Sequence, residues 1–308
     1  MTQRVLVTGA SGFVGTAVLE QLIASHFDVT ALVHHGDLKP GMESVRVVRG
    51  DLFTDSTLEK AVEGADAVIH LVGIIKEVPR RGITFDRIHV HGAKNVLDAA
   101  QRAGITRMIH MSALGAAAEA PSDYHRTKFM AEHRLRKSAM DWTIFQPSLI
   151  HGPDGEFTRM EAAWARGKKP PFLFMPYFGG GLLGLRKAAH VQPVYVKEVA
   201  RAFVEAIDNP KSNHQTLPLC GSQILTWPQM HHIAAELFAG KRKAAIPVPA
   251  WCARILASVA PANWLPFTKD QVLMSQSDNT ADMDGFAEAF GWEPRPFDVT
   301  LSEYAHQL

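Results

Sequence analysis

Val5-Leu6-Val7-Thr8-Gly9-Ala10-Ser11-Gly12-Phe13-Val14-Gly15 is the stretch on which the fold turns. An apolar run that reads as a strand, Arg4–Thr8, meets three glycines spaced three apart, and a helical pattern follows through Ser25. Each glycine has a separate physical task at such a junction. Gly9 permits the tight turn, Gly12 lets backbone approach a pyrophosphate, and Gly15 lets the helix pack closely on the sheet. Ser11, Phe13 and Val14 complete the turn, whose free N–H groups and helix dipole favour phosphate. A strand before the glycines and a helix after them are the context this motif requires, so the turn is expected to bind a dinucleotide.

Outward from this turn, apolar runs and helical patterns alternate, the rhythm of a parallel sheet. Strands are expected at Arg4–Thr8, Asp28–Val33, Val45–Arg49, Ala67–Val72, Arg107–Met111 and Thr143–Pro147. Helices are expected at Gly12–Ser25, Ser56–Val62, Phe85–Ala103 and Tyr124–Ser138. Several strands are almost wholly apolar, as when helices cover both faces of a sheet. The expected fold is therefore α/β: a Rossmann-type doubly wound parallel sheet with a smaller C-terminal substrate-binding region. The expected division is residues 1–155 as the dinucleotide-binding core and 156–308 as a mixed α/β cap partly completing that core. Within the latter, 157–189 is rich in Gly, Pro and basic residues and reads as a surface loop or lid. Helices follow at 196–209, 227–238 and 249–260, with a short strand at 217–219.

Ligands of such sheets lie at the carboxyl ends of the strands. Asp51-Leu52, after the third strand, is placed to line an adenine pocket, and Leu71-Val72-Gly73, after the fourth, to meet the ribose and nicotinamide. The second strand ends Val33-His34-His35-Gly36-Asp37. With no acidic side chain at its immediate end to bond a ribose 2′-hydroxyl, NADP(H) is favoured over NAD(H), unless Asp37 folds back.

After the fifth strand come Ser112 and then Asp123-Tyr124-His125-Arg126-Thr127-Lys128. Tyr124 and Lys128 are four apart and share a helix face. A nearby ammonium favours the phenolate, so Lys128 is expected to lower the Tyr124 pKa toward a working acid/base. Ser112 is placed to hydrogen-bond a reacting carbonyl or hydroxyl. An alternative is an ordinary half-buried aromatic and a solvated lysine, since Tyr-x-x-x-Lys alone is common.

The glycine turn paired with Tyr-x-x-x-Lys resembles the short-chain dehydrogenase/reductase superfamily in its extended or atypical branch. Ile105–Gly115, Gln146-Pro147-Ser148-Leu149-Ile150-His151-Gly152-Pro153, Pro193–Ala200, Leu219-Cys220-Gly221, Thr268–Gln271 and Ser277-Asp278-Asn279 extend the match. They resemble the NAD-dependent epimerase/dehydratase-type family of the 39 kDa accessory subunit of respiratory complex I and its bacterial relatives. The resemblance implies Tyr124 as acid/base, Lys128 as the residue holding the nicotinamide ribose, Ser112 as an assisting group, and Gln146 and Pro147 in the cofactor site. It also implies departures. His89 stands where Asn is frequent, Gln146 where Arg often precedes Pro-Ser, and His34 where many NADP-binding relatives carry Arg. Members of this family include proteins in which the cofactor serves stability or assembly rather than turnover.

Composition narrows the rest. With 32 basic against 31 acidic residues, the charge is too balanced for a broad nucleic-acid-binding face. Two cysteines, Cys220 and Cys252, make no disulfide framework and suit a reducing compartment. The opening residues lack the pattern of a secretion signal, and no run of about 18 apolar residues occurs. A cytoplasmic location follows, peripheral to the inner membrane if the chain joins a complex. The fifteen histidines fall in no metal-ligand spacing, so no metal is expected. Ser148 and His151 lack a nucleophile elbow, which argues against a hydrolase. Pro249–Ala257 with Trp264-Leu265-Pro266-Phe267 is apolar enough to meet a partner or a membrane surface, or else to cover the core or substrate cleft. Two functions remain open: an oxidoreductase or epimerase-like enzyme acting on an unidentified small molecule, or a non-catalytic cofactor-binding structural, assembly or redox-sensor protein.

Overall fold

A computed structural model describes residues 3–186, 188–259, 265 and 267–308. The chain divides into two compact units. The first comprises Met1–Pro147, Val196–Leu219 and Met283–Trp292, and the second Ser148–Tyr195, Cys220–Asp282 and Glu293–Leu308.

The first unit is built on β1 (Arg4–Thr8), β2 (Asp28–Val33), β3 (Arg46–Arg49), β4 (Ala67–His70), β5 (Arg107–Met111) and β6 (Asp141–Pro147). A seventh strand, Gln215–Leu219, joins the far side of β6, and β1 lies inside the sheet between β4 and β2. Every neighbouring pair is parallel. Helices α1 (Phe13–Ala24), α2 (Asp55–Val62), α3 (Ala93–Arg102) and α4 (Asp123–Arg136) form the crossovers. This is the doubly wound Rossmann-type fold expected from the sequence.

Both faces of the sheet are dry along its inner strands, which explains their apolar runs, whereas the edge strand β3 is largely exposed. Val5, Leu6 and Val7 have no exposed surface. On one face Leu6, Val68, Met108 and Trp142 join Leu58, Val96 and Leu97 in a core beneath α2 and α3. At the far edge, Phe145 packs on Phe203, Phe286 and Phe290, with ring centroids 4.8, 6.4 and 5.7 Å away. The buried Arg107 guanidinium ties this edge together, reaching Thr143 Oγ1 (2.7 Å), Ser212 Oγ (3.0 Å) and the Ala206 carbonyl (2.5 Å).

The long expected helix at 85–103 instead begins with a π-helical turn, Asp86–Gly92, before α3 proper. The fourth strand stops at His70, leaving Leu71 and Val72 in the following loop.

In the second unit, the stretch expected as a loop or lid contains the helix Glu156–Ala165 and the strand Phe174–Gly179. That strand pairs in parallel with Ala244–Pro249. Both are edge strands of a two-stranded sheet, where proline is tolerated, so Pro176 and Pro247 do not prevent pairing. The helix Trp227–Ala239 opens on a Thr226/Gln229 capping box and closes on Gly240 in the left-handed region. The helix expected at 249–260 is present as Ala250–Val259; Ala260, Trp264 and Pro266 lie outside the described residues.

Candidate functional site

The glycine turn has the geometry its spacing demands. Gly9 sits at φ +78°, and a Cβ there would stand 3.0 Å from the Val72 amide nitrogen. The turn is therefore seated against the Leu71-Val72 backbone, as the strand-end rule requires. At Gly15 a Cβ would fall 2.1 Å from the Gly9 carbonyl oxygen, an approach only glycine permits. Gly12 caps α1 with no side chain bonded to the helix end, and no acidic residue occupies its first turn. Ser11 and Gly12 are exposed, Phe13 is half-buried, and Val14 and Gly15 are buried. Unopposed amides at an open helix N-terminus fit the pyrophosphate of a dinucleotide.

At the end of β2, His34 and His35 are exposed, with their rings 3.7 Å apart. Ser11 Oγ donates to the His35 carbonyl at 3.4 Å. Arg49, which the sequence reading did not single out, lies opposite Val33 in the β2–β3 register. Its guanidinium pairs with Asp37 and donates to the Gly36 carbonyl at 3.0 Å. Asp37 is thus held by a cation rather than standing alone beside the turn. The carboxyl of Asp51 accepts from the Phe53 amide at 2.8 Å. Burial would raise its pKa, but hydrogen bonds from Phe53 and Thr54 and the nearby His34 bring it below the usual value. The Leu52 side chain is in the core, while its carbonyl accepts from Asn95 Nδ2 at 2.9 Å.

The third cluster lies where β4, β5 and β6 end. Ser122 caps α4 by accepting from the His125 amide at 3.2 Å, which sets Tyr124 in the first helical turn. One turn later Lys128 is buried, its Nζ donating to the Met111 carbonyl at 3.0 Å. That nitrogen also lies 2.9 Å from the point where a Cβ on Gly73 would stand. Burial lowers the Lys128 pKa to about 8, opposed by Glu132 one turn further along. Glu132 is fully buried and held by Arg136 (2.6 Å) and Gln146 Nε2 (2.8 Å). Lys128, Glu132 and Arg136 form a ladder of alternating charge at four-residue spacing, a signal present in the sequence but not taken up.

Tyr124 is half-buried, edge-on to Phe85 (5.8 Å), His89 (5.4 Å) and His125 (5.3 Å). Burial pushes its phenol up to about 12. This is opposite to the lowering expected from the neighbouring ammonium: the ring is desolvated among aromatics, and the Lys128 amine is directed to a carbonyl. Ser112 follows Met111, its amide donating to the Phe145 carbonyl at 2.8 Å. Its Oγ is buried and has no hydrogen-bond partner among the described residues. The Pro147 carbonyl accepts from Leu114 at 3.0 Å, so the end of β6 braces the loop that carries Ser112.

His89 bridges two of these segments. Its Nδ1 lies 2.9 Å from Thr127 Oγ1, and its Nε2 3.1 Å from both the amide nitrogen and the carbonyl oxygen of Ile74. Burial and the Lys128 charge lower its pKa to about 2, so it is a neutral spacer between the β4 loop and α4. The sequence did not reveal that Thr8, His70 and His110 align in one row across β1, β4 and β5. Thr8 Oγ1 is 2.6 Å from His70 Nδ1, and the His70 and His110 rings stack at 5.4 Å. Burial and then Lys128 lower His70 to about 3. His110 lies well below its ordinary value, chiefly through burial and then His70. Among the described residues no group of three potential metal ligands occurs.

A parallel sheet, a glycine turn against its fourth strand and an open helix N-terminus define a dinucleotide-binding protein of Rossmann type. The family described as NAD(P)H-binding matches residues 9–168, and the chain belongs to it. The resemblance to atypical short-chain dehydrogenases/reductases of the complex I 39 kDa type is borne out by the relatives. The mouse mitochondrial NADH dehydrogenase [ubiquinone] 1 alpha subcomplex subunit 9 is 26% identical over 96% of this chain and 78% of its own length. The chain spans 66% of the Dictyostelium discoideum protein of the same name. A ceramide reductase of Caulobacter vibrioides is 28% identical, covering 77% of this chain and 71% of that protein. The photosystem II assembly factor Ycf39 of Synechocystis is 25% identical, covering 99% and 90%. Among solved structures, the Thermus thermophilus UDP-glucose 4-epimerase complex with NAD superposes with a TM-score of 0.74 at 20% identity, over 99% of this chain and 98% of that one, a likeness of fold.

Proposed function

We propose that the chain is an NAD(P)-dependent oxidoreductase of the atypical short-chain type, reducing a carbonyl or acting in an epimerase-like manner on a small molecule. The observation that carries this reading is the buried Lys128 amine beside Gly73 at the carboxyl end of the sheet, bonded to the carbonyl of Met111, the residue before Ser112, whose hydroxyl is unpartnered among the described residues. When bound, a reduced nicotinamide supplies the hydride. Lys128 holds the adjoining ribose, Ser112 Oγ orients the substrate oxygen, and Tyr124 donates the proton that oxygen needs. A phenol held at about 12 is fully protonated at neutral pH, which suits donation better than abstraction. Leu71, Val72 and Gly73 offer backbone to the ribose and nicotinamide, Asp51 and Leu52 to the adenine side, and Gln146 and Pro147 brace the nicotinamide end. His34 and Arg49 favour a 2′-phosphate, hence NADP(H).

The test is Tyr124→Phe, assayed by NADPH oxidation against a panel of carbonyl compounds. Turnover should disappear while NADPH titration stays within about twofold of the parent; unchanged turnover sinks the mechanism.

A second reading has one specific support: the half-buried Tyr124 ring lies edge-on to Phe85, His89 and His125, and its phenol is raised rather than tuned toward neutral pH. Here the cofactor is retained for structure, assembly or redox sensing, and the chain is a peripheral member of a membrane-bound protein complex. Relatives named as a complex I subunit and a photosystem assembly factor accord with it. Slow exchange of bound cofactor, with no turnover to lose in Tyr124→Phe, would favour this reading.

A further inference from the structure

Acidic residues are absent from two long stretches of the chain, 162–197 and 237–269. Together these hold eleven of the 32 basic residues and none of the 31 acidic ones, so the remainder of a nearly neutral chain is ten negative. The fold joins them: Phe174–Gly179 from the first pairs along its length with Ala244–Pro249 from the second. Where these strands end, the loop from the first and the helix Ala250–Val259 from the second are tied by a bond from Trp251 Nε1 to the Leu182 carbonyl at 2.9 Å. Apart from Lys197, which belongs to the first unit, the positive charge of these stretches falls on segments of the second unit.

The same loop and helix expose apolar side chains. Leu182 is 78% exposed and Leu185 73%, with Leu183 close behind. The helix buries Ala250 and Ala253 and turns Trp251, Ile255 and Val259 outward as a stripe of four-residue spacing. Arg186 and Arg254 are exposed beside these side chains. At the rim, Arg242 is paired with Glu236.

We propose that the loop 180–186 and the helix Ala250–Val259 form a docking surface for an anionic phospholipid bilayer. Contiguous exposed apolar side chains mark an interaction site, and the charge identifies its occupant. The core of a protein–protein interface is depleted in charge, and a second copy of this face would bring like charges together. A bilayer bearing phosphate headgroups takes both features: leucines and Trp251 enter the acyl boundary while arginines and lysines remain with the headgroups. The surface does not depend on the catalytic reading, because none of its residues belongs to the cofactor site.

The experiment is co-flotation of the full chain with vesicles of phosphatidylcholine alone, or of phosphatidylcholine mixed equally with phosphatidylglycerol. The chain should float with the anionic vesicles only and be released by high salt. The variant Leu182→Ser/Leu183→Ser/Leu185→Ser should lose at least about tenfold of the floated fraction with its melting temperature unchanged, since these side chains are exposed. Flotation with neither vesicle, equal flotation with both, or undiminished flotation of the folded variant overturns the proposal. So does sedimentation equilibrium showing a dimer that the triple substitution dissociates, which would assign the leucines to a second copy.

Discussion

The Lys128 amine stands 2.9 Å from where a Cβ on Gly73 would be, so the loop after β4 fixes the reach of a side chain from α4. The obstructed atom is the far end of a flexible chain, and yielding costs the fold little. Gly73→Ala is therefore expected to leave the melting temperature within about two degrees while weakening nicotinamide cofactor binding about tenfold. Thermal unfolding and a fluorescence titration on the same sample check both halves.

Lys128 also carries a pH signature. Its folded pKa of about 8 is below the ordinary 10.5, so the unfolded chain binds more protons between these values. Stability from this group therefore rises as pH increases from 8 to 10.5. Relative to Lys128→Met, the parent should gain up to about 3 kcal/mol over that window. Denaturant midpoints of both proteins across the range measure it, and a constant difference refutes a desolvated amine.

His110 has no partner on either ring nitrogen among the described residues and lies in a dry row. His110→Leu should stabilise the fold by about 1–2 kcal/mol at neutral pH. The advantage should widen in acid. A histidine whose folded pKa is lowered contributes stability above its unfolded pKa and loses it as pH falls, and His70 and His110 both do so below about 6.5. Melting curves at neutral and acid pH decide the matter.

Arg49 bears on cofactor choice. If it serves the 2′-phosphate, Arg49→Ala should weaken NADPH about tenfold and leave NADH within about twofold. Parallel titrations with the two nucleotides read the difference; equal losses would assign Arg49 to the loop alone.

What could be read from the sequence follows how local each determinant is. The glycine turn declares itself because a strand, three glycines and a helix lie within about twenty contiguous residues. The parallel sheet was legible for the same reason: each βα unit carries its own periodicity. Arg49 was hidden because only the β2–β3 register sets it near His34. The row of Thr8, His70 and His110 needed three strands aligned before it became one feature. Phe174–Gly179 was obscured by Pro176, which signals a loop unless the strand is known to lie at an edge. The Tyr124 expectation gave the wrong direction because four-residue spacing reports a shared helix face, not the aromatic rings that desolvate it.

The strand Gln215–Leu219 and the Phe203 ring reach β6 and Phe145 only after the chain has passed through Ser148–Tyr195 of the second unit, and the rings of Phe286 and Phe290 only after Cys220–Asp282 as well. During translation, β6 must therefore leave the ribosome as a bare edge and remain so until residue 219 has been made, and Phe145 lacks part of its aromatic cover until residue 290. The order of synthesis thus builds in an interval during which an unpaired strand edge is open to non-native pairing. A gene cut just past β6 would make that interval permanent, leaving a nucleotide-binding turn on a sheet with one side unpaired and prone to aggregate.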